Sequence, residues 1–363
     1  MIEQSGSDAE IFGALDCERR ARQSLEPDVF AWFAGGAGGE RTLRDNVDAF
    51  SRWQLRPRVL VNVSAPSAAT TVLGHHVSLP VLVAPVAFQR FVHPEGEAAM
   101  ARGSAAAGTV MCMSTMATTS FADIAAAAPG AARWLQLYHL TDRERTRAII
   151  DAGRDAGASA IVLTVDSPVR GRPDRARGTG FLIPEPDAVP NVVAAMDGEP
   201  FKGLESLIAT TLTWRDLEWL VTETGLPVVL KGILTGEDAH LACESGAAGV
   251  IVSNHGGRQL DGVSAGIDAL SEVVEAVAGR IEVMMDGGVR RGTDVVTALA
   301  LGARAVLVGR PLVWALCIGG AAGVERLLDV LAEEVTNALT LLGAPRPDLV
   351  TRAHVSPTNG RVR

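Results

Sequence analysis

The chain has 363 residues, 47% of them apolar, and a formal net charge of −9. That length suits one large α/β domain or two ordinary ones, and the apolar fraction is enough for a sizeable core. The acidic balance, without any Lys/Arg-rich tract, argues against nucleic acid as the main partner.

The N-terminal stretch Met1–Glu10 is polar and acidic, unlike a signal peptide. No apolar run reaches the roughly 18–20 residues that span a bilayer. A soluble, cytoplasmic protein is therefore expected. Cys17, Cys112, Cys243 and Cys317 lie far apart, with neither metal-ligand spacing nor a disulfide framework, so no metal is expected.

Residues 1–78 read as a helical N-terminal cap with a glycine-rich turn at Ala34–Gly39, flanking the rest rather than folding alone. From residue 79 onward, β-rich apolar runs alternate with helical stretches. The predicted strands are Val81–Ala84, Thr109–Ser114, Trp134–Tyr138, Ala160–Val165, Val228–Lys231, Gly249–Ser253, Glu282–Asp286 and Ala305–Gly309. Thr141–Glu144 and Thr235–Asp238 open helices with capping residues, and Thr293–Leu301 has apolar residues at helical spacing. Strand–helix alternation implies parallel strands with crossovers, and eight such units in roughly 250 residues fit a (β/α)8 TIM barrel. One connection breaks the rhythm. The long stretch from Asp166 to Val228 predicts an excursion over the barrel mouth that ends in a helix near Trp214–Thr224. The whole chain, 1–363, is read as one domain, with the cap at 1–78 and the barrel plus C-terminal helices at 79–363.

In such a barrel, functional groups gather at the C-terminal ends of strands. Those ends carry Ala84-Pro85, Ser114, Gln136 with Tyr138, Thr164 with Asp166, Lys231, His255 with Arg258, Asp286-Gly287-Gly288, and Gly309-Arg310. After the sixth run comes Ser253-Asn254-His255-Gly256-Gly257-Arg258-Gln259-Leu260-Asp261-Gly262. His255 can move a proton near neutral pH, and Arg258 offers a planar fork that grips a carboxylate. Asp166 is the best candidate to fix the tautomer of His255; its bland alternative is an ion pair with Arg170 or Arg172. For Arg258 the bland alternative is Asp261. Lys231 at the end of a buried strand needs an anion, either a cofactor or a barrel carboxylate. Tyr138, the only tyrosine, can donate to a substrate oxygen. Asp286-Gly287-Gly288-Val289-Arg290 and Gly309-Arg310, after the seventh and eighth runs, look like a phosphate cradle made of glycine amides, a helix N-terminus and Arg310.

These motifs resemble the signature of the FMN-dependent 2-hydroxy acid oxidases and dehydrogenases, the group that includes glycolate oxidase, lactate oxidase and mandelate dehydrogenase. The likeness extends over Ala84-Pro85, His93-Pro94-Glu95-Gly96-Glu97, Gln136-Leu137-Tyr138, Leu163-Thr164-Val165-Asp166 and Leu230-Lys231-Gly232 as well as the glycine turns. It implies FMN as cofactor, His255 as base with Asp166 as its partner, and Arg258 and Tyr138 as substrate ligands. Lys231 is implied beside flavin N1/O2. Ala87, Ser114, Gln136 and Thr164 are implied along the isoalloxazine ring, with Pro85, Val86 and Ser253 as further cofactor contacts. Asp286, Gly287, Gly288, Arg290, Gly309 and Arg310 are implied at the ribityl chain and phosphate. A homo-oligomer, tetramer or larger, is implied by the same likeness.

The chain also departs from the family pattern. Trp32 stands where the family usually has a tyrosine, Pro173 where it usually has an arginine, and Met116 where a tryptophan is common. Two polar contacts to a carboxylate are lost, each worth roughly 1.5–3 kcal/mol, and apolar bulk is gained. Arg170 or Arg172 is the candidate to swing into the vacated role. The expected reaction is oxidation of a 2-hydroxy acid to the 2-oxo acid, with a substrate bulkier or less polar than glycolate, such as an aryl 2-hydroxy acid. His255 takes a proton from C2 or from the hydroxyl; both routes stay open. Dioxygen is the expected electron acceptor, with a quinone or partner protein as alternatives, and the loop Arg175–Leu207 lacks the apolar length of a membrane insertion. Two other readings are a redirected flavoenzyme acting on an amine or specialised intermediate, and a non-catalytic FMN-binding barrel.

Overall fold

A computed structural model describes residues 11–177, 188–201, 203 and 206–358. The polar stretch Met1–Glu10 and much of the loop Arg175–Leu207, on which two expectations rest, lie outside the described residues. Within them, eight parallel strands close into a barrel. The strands are β1 (Val81–Val83), β2 (Met111–Ser114), β3 (Arg133–Leu137), β4 (Ala158–Thr164), β5 (Val228–Ile233), β6 (Gly249–Val252), β7 (Glu282–Asp286) and β8 (Ala305–Val308). Each pairs with the next, and β8 closes onto β1 with Val306 opposite Val81. The predicted strands are all present, with ends moved by at most two residues. Tyr138, Val165, Ser253 and Gly309 sit just beyond their strands, where the chain already turns to serve the loops.

The apolar side chains divide with period two, as a strand dictates. Leu82, Cys112, Trp134, Val162, Val229, Ile251, Met284 and Leu307 fill the barrel interior. Val81, Met113, Leu135, Leu163, Leu230, Val252, Met285 and Val306 face the surrounding helices. Continuing the inward phase by two or four residues reaches Ser114, Gln136, Tyr138, Thr164, Asp166, Lys231, Ser253, His255 and Asp286. The alternation that packs the interior thus carries these polar groups to the C-terminal mouth.

The opposite mouth is plugged by an antiparallel hairpin, Thr70–Val72 with His75–Val77, whose Val72 and Val77 join the interior cluster. Sequence reading missed this hairpin and the pairing of Trp53–Leu55 with Val355–Pro357. That pairing ties the N-terminal segment to the chain's other end. Helices Ala14–Ser24, Pro27–Ala34 and Arg41–Asp48 flank the barrel, and the long helix Arg310–Leu342 bends at Gly320, where φ is 55°. The expected caps are present: Asp142 accepts from Glu144 N, Thr235 accepts from Asp238 N, and the helix Trp214–Thr224 has its capping box. Among the described residues no helix is long and apolar enough to cross a membrane.

Candidate active site

The loop after β6 begins with Ser253 and turns sharply. His255 has φ 59° and Gly256 φ 62°, a left-handed pair that lifts the imidazole toward the loop after β4. There His255 Nδ1 lies 2.9 Å from Asp166 Oδ1. Ser167 Oγ donates to the same Asp166 oxygen at 2.9 Å. Burial alone would raise the Asp166 carboxyl, but His255, Lys231 and the Ser167 hydroxyl together hold it below the usual carboxylate range. Asp166 therefore stays anionic and fixes the imidazole orientation. The expected pairing with Asp166 is met; neither Arg170 nor Arg172 forms an ion pair with it.

Lys231, 4% exposed, sits across the mouth. Its Nζ donates to Ser253 Oγ at 2.9 Å and lies 3.0 Å from Asp286 Oδ2. Burial works against the ammonium, but Asp286 and Asp166 outweigh it and raise its pKa. The barrel-carboxylate alternative for Lys231 is thus real, yet it leaves a firmly charged ammonium at the mouth. The Ser253 hydroxyl also accepts from His255 N at 3.1 Å, so it links the lysine to the base loop. On the neighbouring strands Gln136 bridges two hydroxyls: its Oε1 accepts from Ser114 Oγ at 3.2 Å and its Nε2 donates to Thr164 Oγ1 at 3.1 Å. Tyr138 is half-buried beside them, and burial together with the Asp166 charge pushes its phenol up to about 12. It is therefore a hydrogen-bond donor throughout the neutral range.

Arg258 does not pair with Asp261, whose carboxylate instead accepts from Thr42 N and Arg41 N. Its Nη1 donates to the carbonyls of Trp32 and Gly35, at 2.8 and 3.1 Å, and its guanidinium lies 4.8 Å over the Trp32 ring. Arg310 donates to the carbonyls of Phe33, Gly256 and Gly35. Burial and Arg170 lower Arg258 to about 10, and burial with Arg258 and Arg290 lowers Arg310 to about 9. Burial likewise lowers Arg290, whose Nη1 donates to Val289 O. Among the described residues, none of the three stands in an ion pair.

Half-buried cations without a carboxylate partner are costly unless an anion completes them. Asp286 Oδ1 is a buried acceptor that lacks a partner among the described atoms, suited to a hydroxyl donor. Gly287 and Gly288, with φ of 92° and 83°, turn the chain between them. A phosphate, a polyol chain and a flat ring therefore suit the residues present, which fits the FMN that the resemblance implies. One element of the expected cradle is corrected. The helix Gly292–Ala300 is not an open anion site, because Asp294 accepts from Arg290 N and Arg291 N, and Glu334 accepts from Gly292 N.

Around the remaining edge, Trp32 packs edge-on against Phe33 and Phe88, with centroids 4.7 and 5.5 Å away. Phe88, in the left-handed region at φ 64°, follows Pro85, Val86 and Ala87, and its N–H donates to Met116 O. Trp32 and Met116 thus approach the same loop. Sequence reading missed four supporting residues. Asn46 and Asn254 pair across the N-terminal helices and the base loop. Glu97, fully buried, accepts from Gln89 N, Thr118 N and two threonine hydroxyls, tying the loops after β1 and β2 together. Gln259 binds the root of the long loop. Only Glu97 carried a signal, as a charge inside an apolar helix.

A family model described as FMN-dependent dehydrogenase matches residues 21–357. The chain is 45% identical over 354 residues to "Glycolate oxidase 1" of Oryza sativa subsp. indica, covering 95% of this chain and 96% of the relative. It is 45% identical over 341 residues to the "L-lactate oxidase" of a Nostoc species, covering 91% and 93%. A crystal structure of mandelate oxidase superposes with a TM-score of 0.90 at 43% identity, covering 97% of this chain and 100% of that one. Mandelate oxidase with (S)-2-phenylpropionate gives 0.88, again at 43% identity.

Proposed function

The chain belongs to the FMN-dependent 2-hydroxy acid oxidase family, and from that premise we propose that it oxidises a 2-hydroxy acid with a bulky, aryl-like side chain and passes the electrons to dioxygen. The observation that carries the catalytic part is the Asp166–His255 pair at 2.9 Å, with Arg258 three residues further on. Base and anion clamp share one loop, so a substrate held by its carboxylate presents its C2–OH to the imidazole.

The chain's own residues divide the work. Arg258 and Tyr138 orient the substrate by its oxygens, one as a cation near neutral pH and the other as a neutral donor. His255 accepts a proton, and Asp166 stabilises the imidazolium that results. Lys231 keeps a positive charge at the mouth, held there by Asp286 and Ser253. Ser114, Gln136 and Thr164 offer a fixed polar edge for a ring, while Arg290, Arg310 and the turns at Gly287, Gly288 and Gly309 suit a phosphate tail. FMN, when bound, accepts the two electrons lost from C2.

The substrate reading rests on Trp32 and Met116. An indole and a thioether near the Phe88 loop favour an apolar side chain over a small hydroxy acid. Mandelate oxidase, among the structural relatives, acts on an acid of that shape by its name; the glycolate oxidases, at similar identity, pull the other way. The deciding experiment is anaerobic bleaching of the bound flavin by glycolate, lactate and mandelate, followed by kcat/KM for each in air. Mandelate is expected to lead. A clear preference for glycolate overturns the substrate reading, and bleaching that air fails to reverse overturns dioxygen as acceptor.

A further inference from the structure

We propose that Glu40 is a positioning residue for two anion sites at once, because it holds the one peptide whose carbonyl Arg258 and Arg310 share. This rests on the reading that Arg258 meets the substrate carboxylate and Arg310 the cofactor phosphate. The Gly35 carbonyl accepts from Arg258 Nη1 at 3.1 Å and from Arg310 Nη2 at 2.8 Å. On the far side of the same planar unit, Gly36 N donates to Glu40 Oε1 at 3.1 Å. A carboxylate on the N–H polarises the amide and makes its carbonyl a stronger acceptor. The Glu40 charge is thereby felt between two guanidiniums that repel each other.

Glu40 is placed for this task and not for the helix it precedes. It stands just before Arg41–Asp48 but makes no side-chain cap bond there; Asp261 accepts from Arg41 N and Thr42 N instead. Its φ of 58° is left-handed, a conformation disfavoured for a residue with a side chain, and its carboxylate reaches back to the glycine turn. Only 8% of Glu40 is exposed, and its other oxygen pairs with Arg175 from the loop after β4. The turn is pressed against the base loop. Ala37 N donates to Gly257 O at 2.8 Å, and a Cβ on Gly36 would lie 2.8 Å from that same oxygen. Gly38 N donates to Arg172 O at 2.9 Å, a second tie to the loop after β4. Cap, base loop and β4 loop therefore meet at a turn that one buried carboxylate holds. The charges agree with the geometry: Arg258 acts to lower Arg310, and Glu40 acts against that.

The test measures two pairs of ligands. FMN and riboflavin are titrated onto the apoprotein by flavin fluorescence; oxalate and mandelamide are titrated onto the FMN-loaded protein by the flavin absorbance change. Glu40→Ala should raise the Kd of FMN and of oxalate by at least ~10-fold each. Riboflavin, which lacks the phosphate, and mandelamide, which lacks the carboxylate, should bind Glu40→Ala and wild type alike, which separates loss of the shared peptide from collapse of the turn. Glu40→Gln keeps an oxygen for Gly36 N and should lose clearly less of both affinities. Unchanged FMN and oxalate Kd values in Glu40→Ala overturn the assignment, and so does a loss confined to one of the two. Equal losses for riboflavin and mandelamide overturn it in favour of a structural role, and a Glu40→Gln variant no better than Glu40→Ala overturns the route through the Gly36 N–H. Failure of the underlying reading looks different, because it appears in the wild type: FMN binds no tighter than riboflavin, or oxalate no tighter than mandelamide.

Discussion

Asn46 and Asn254 exchange two side-chain amide hydrogen bonds, at 2.9 and 2.7 Å, across 208 positions of sequence. Asn254 precedes the base, and its side chain also accepts from Gly257 N and donates to Ser264 O. Asn46 lies in the helix Arg41–Asp48, and its carbonyl presses on the phosphate-type turn, where a Cβ on Gly288 would come within 1.8 Å. One amide pair therefore couples the N-terminal cap, the base loop and the turn after β7.

Replacing either member leaves the other buried and short of partners. Asn46→Ala and Asn254→Ala are each expected to destabilise the protein by about 1–3 kcal/mol. The double variant should cost clearly less than the sum, because both single changes remove the same pair of bonds. Urea unfolding of the three variants checks this; full additivity would falsify the coupling.

His255→Gln should keep its FMN, since most groups proposed for ring, ribityl chain and phosphate lie on other elements and Ser253, on the same loop, accepts from the main-chain N of residue 255, which the substitution retains. Flavin reduction by substrate should slow by ~10²–10⁴-fold, the range for loss of a positioned base. Asp166→Asn should also slow it, because an amide NH2 facing Nδ1 selects the wrong tautomer and no longer stabilises the cation. Anaerobic stopped-flow bleaching at saturating substrate measures both, and a normal rate in His255→Gln removes it as the base.

Lys231→Met leaves Asp286 buried with neither oxygen paired, a change that costs about 3–5 kcal/mol. Adding Asp286→Leu removes the stranded charge and should recover much of the loss, while FMN binding stays impaired because the acceptor suited to the ribityl chain is gone too. Thermal unfolding of the apo forms and flavin fluorescence together measure the two effects. A single variant as stable as the parent contradicts the ion pair's role.

The barrel was legible because its strands are short, doubly buried and β-rich, and because the inward phase of each one runs on into a polar group. Ser114, Gln136, Thr164, Lys231 and Asp286 all obey that phase. The pair formed by His255 and Asp166 followed from strand-end logic alone. The hairpin Thr70–Val77 and the pairing of Trp53–Leu55 with Val355–Pro357 were not legible, since three-residue strands give no periodicity and long-range pairing leaves no local mark. Asn46, Asn254 and Gln259 escaped for a related reason. A neutral amide has no characteristic spacing, and its work is defined only by what the fold brings to it. The occupied N-terminus of the helix Gly292–Ala300 depended on Glu334, far away in sequence.

Burial and Arg170 lower Arg258 to about 10 in the free protein. In its proposed role the cationic form binds the carboxylate, so kcat/KM should be flat in Arg258's contribution below that value and fall as pH rises through it. Tyr138, at about 12, remains a phenol over the same range and adds nothing to that limb. Arg170→Leu removes a neighbouring cation and should move the limb to higher pH. A kcat/KM profile in which the alkaline limb stays put in that variant assigns it to another group.

Trp32 offers the sharpest control of specificity. Its carbonyl, not its ring, receives the Arg258 hydrogen bond, so the clamp survives a change of side chain. The ring packs edge-on against Phe33 and Phe88 and face-on beneath the Arg258 guanidinium. Tyrosine retains an aromatic face for that cation while shedding part of the indole bulk, and its hydroxyl can both donate and accept. Trp32→Tyr should therefore raise kcat/KM for glycolate relative to mandelate, by ~10-fold or more if a substrate oxygen gains a direct partner. Trp32→Phe supplies the smaller ring without the hydroxyl. If it shifts the ratio as far as tyrosine does, relief of bulk is the cause; if only tyrosine shifts it, the hydroxyl is. An unchanged ratio in both variants removes Trp32 from the specificity determinants.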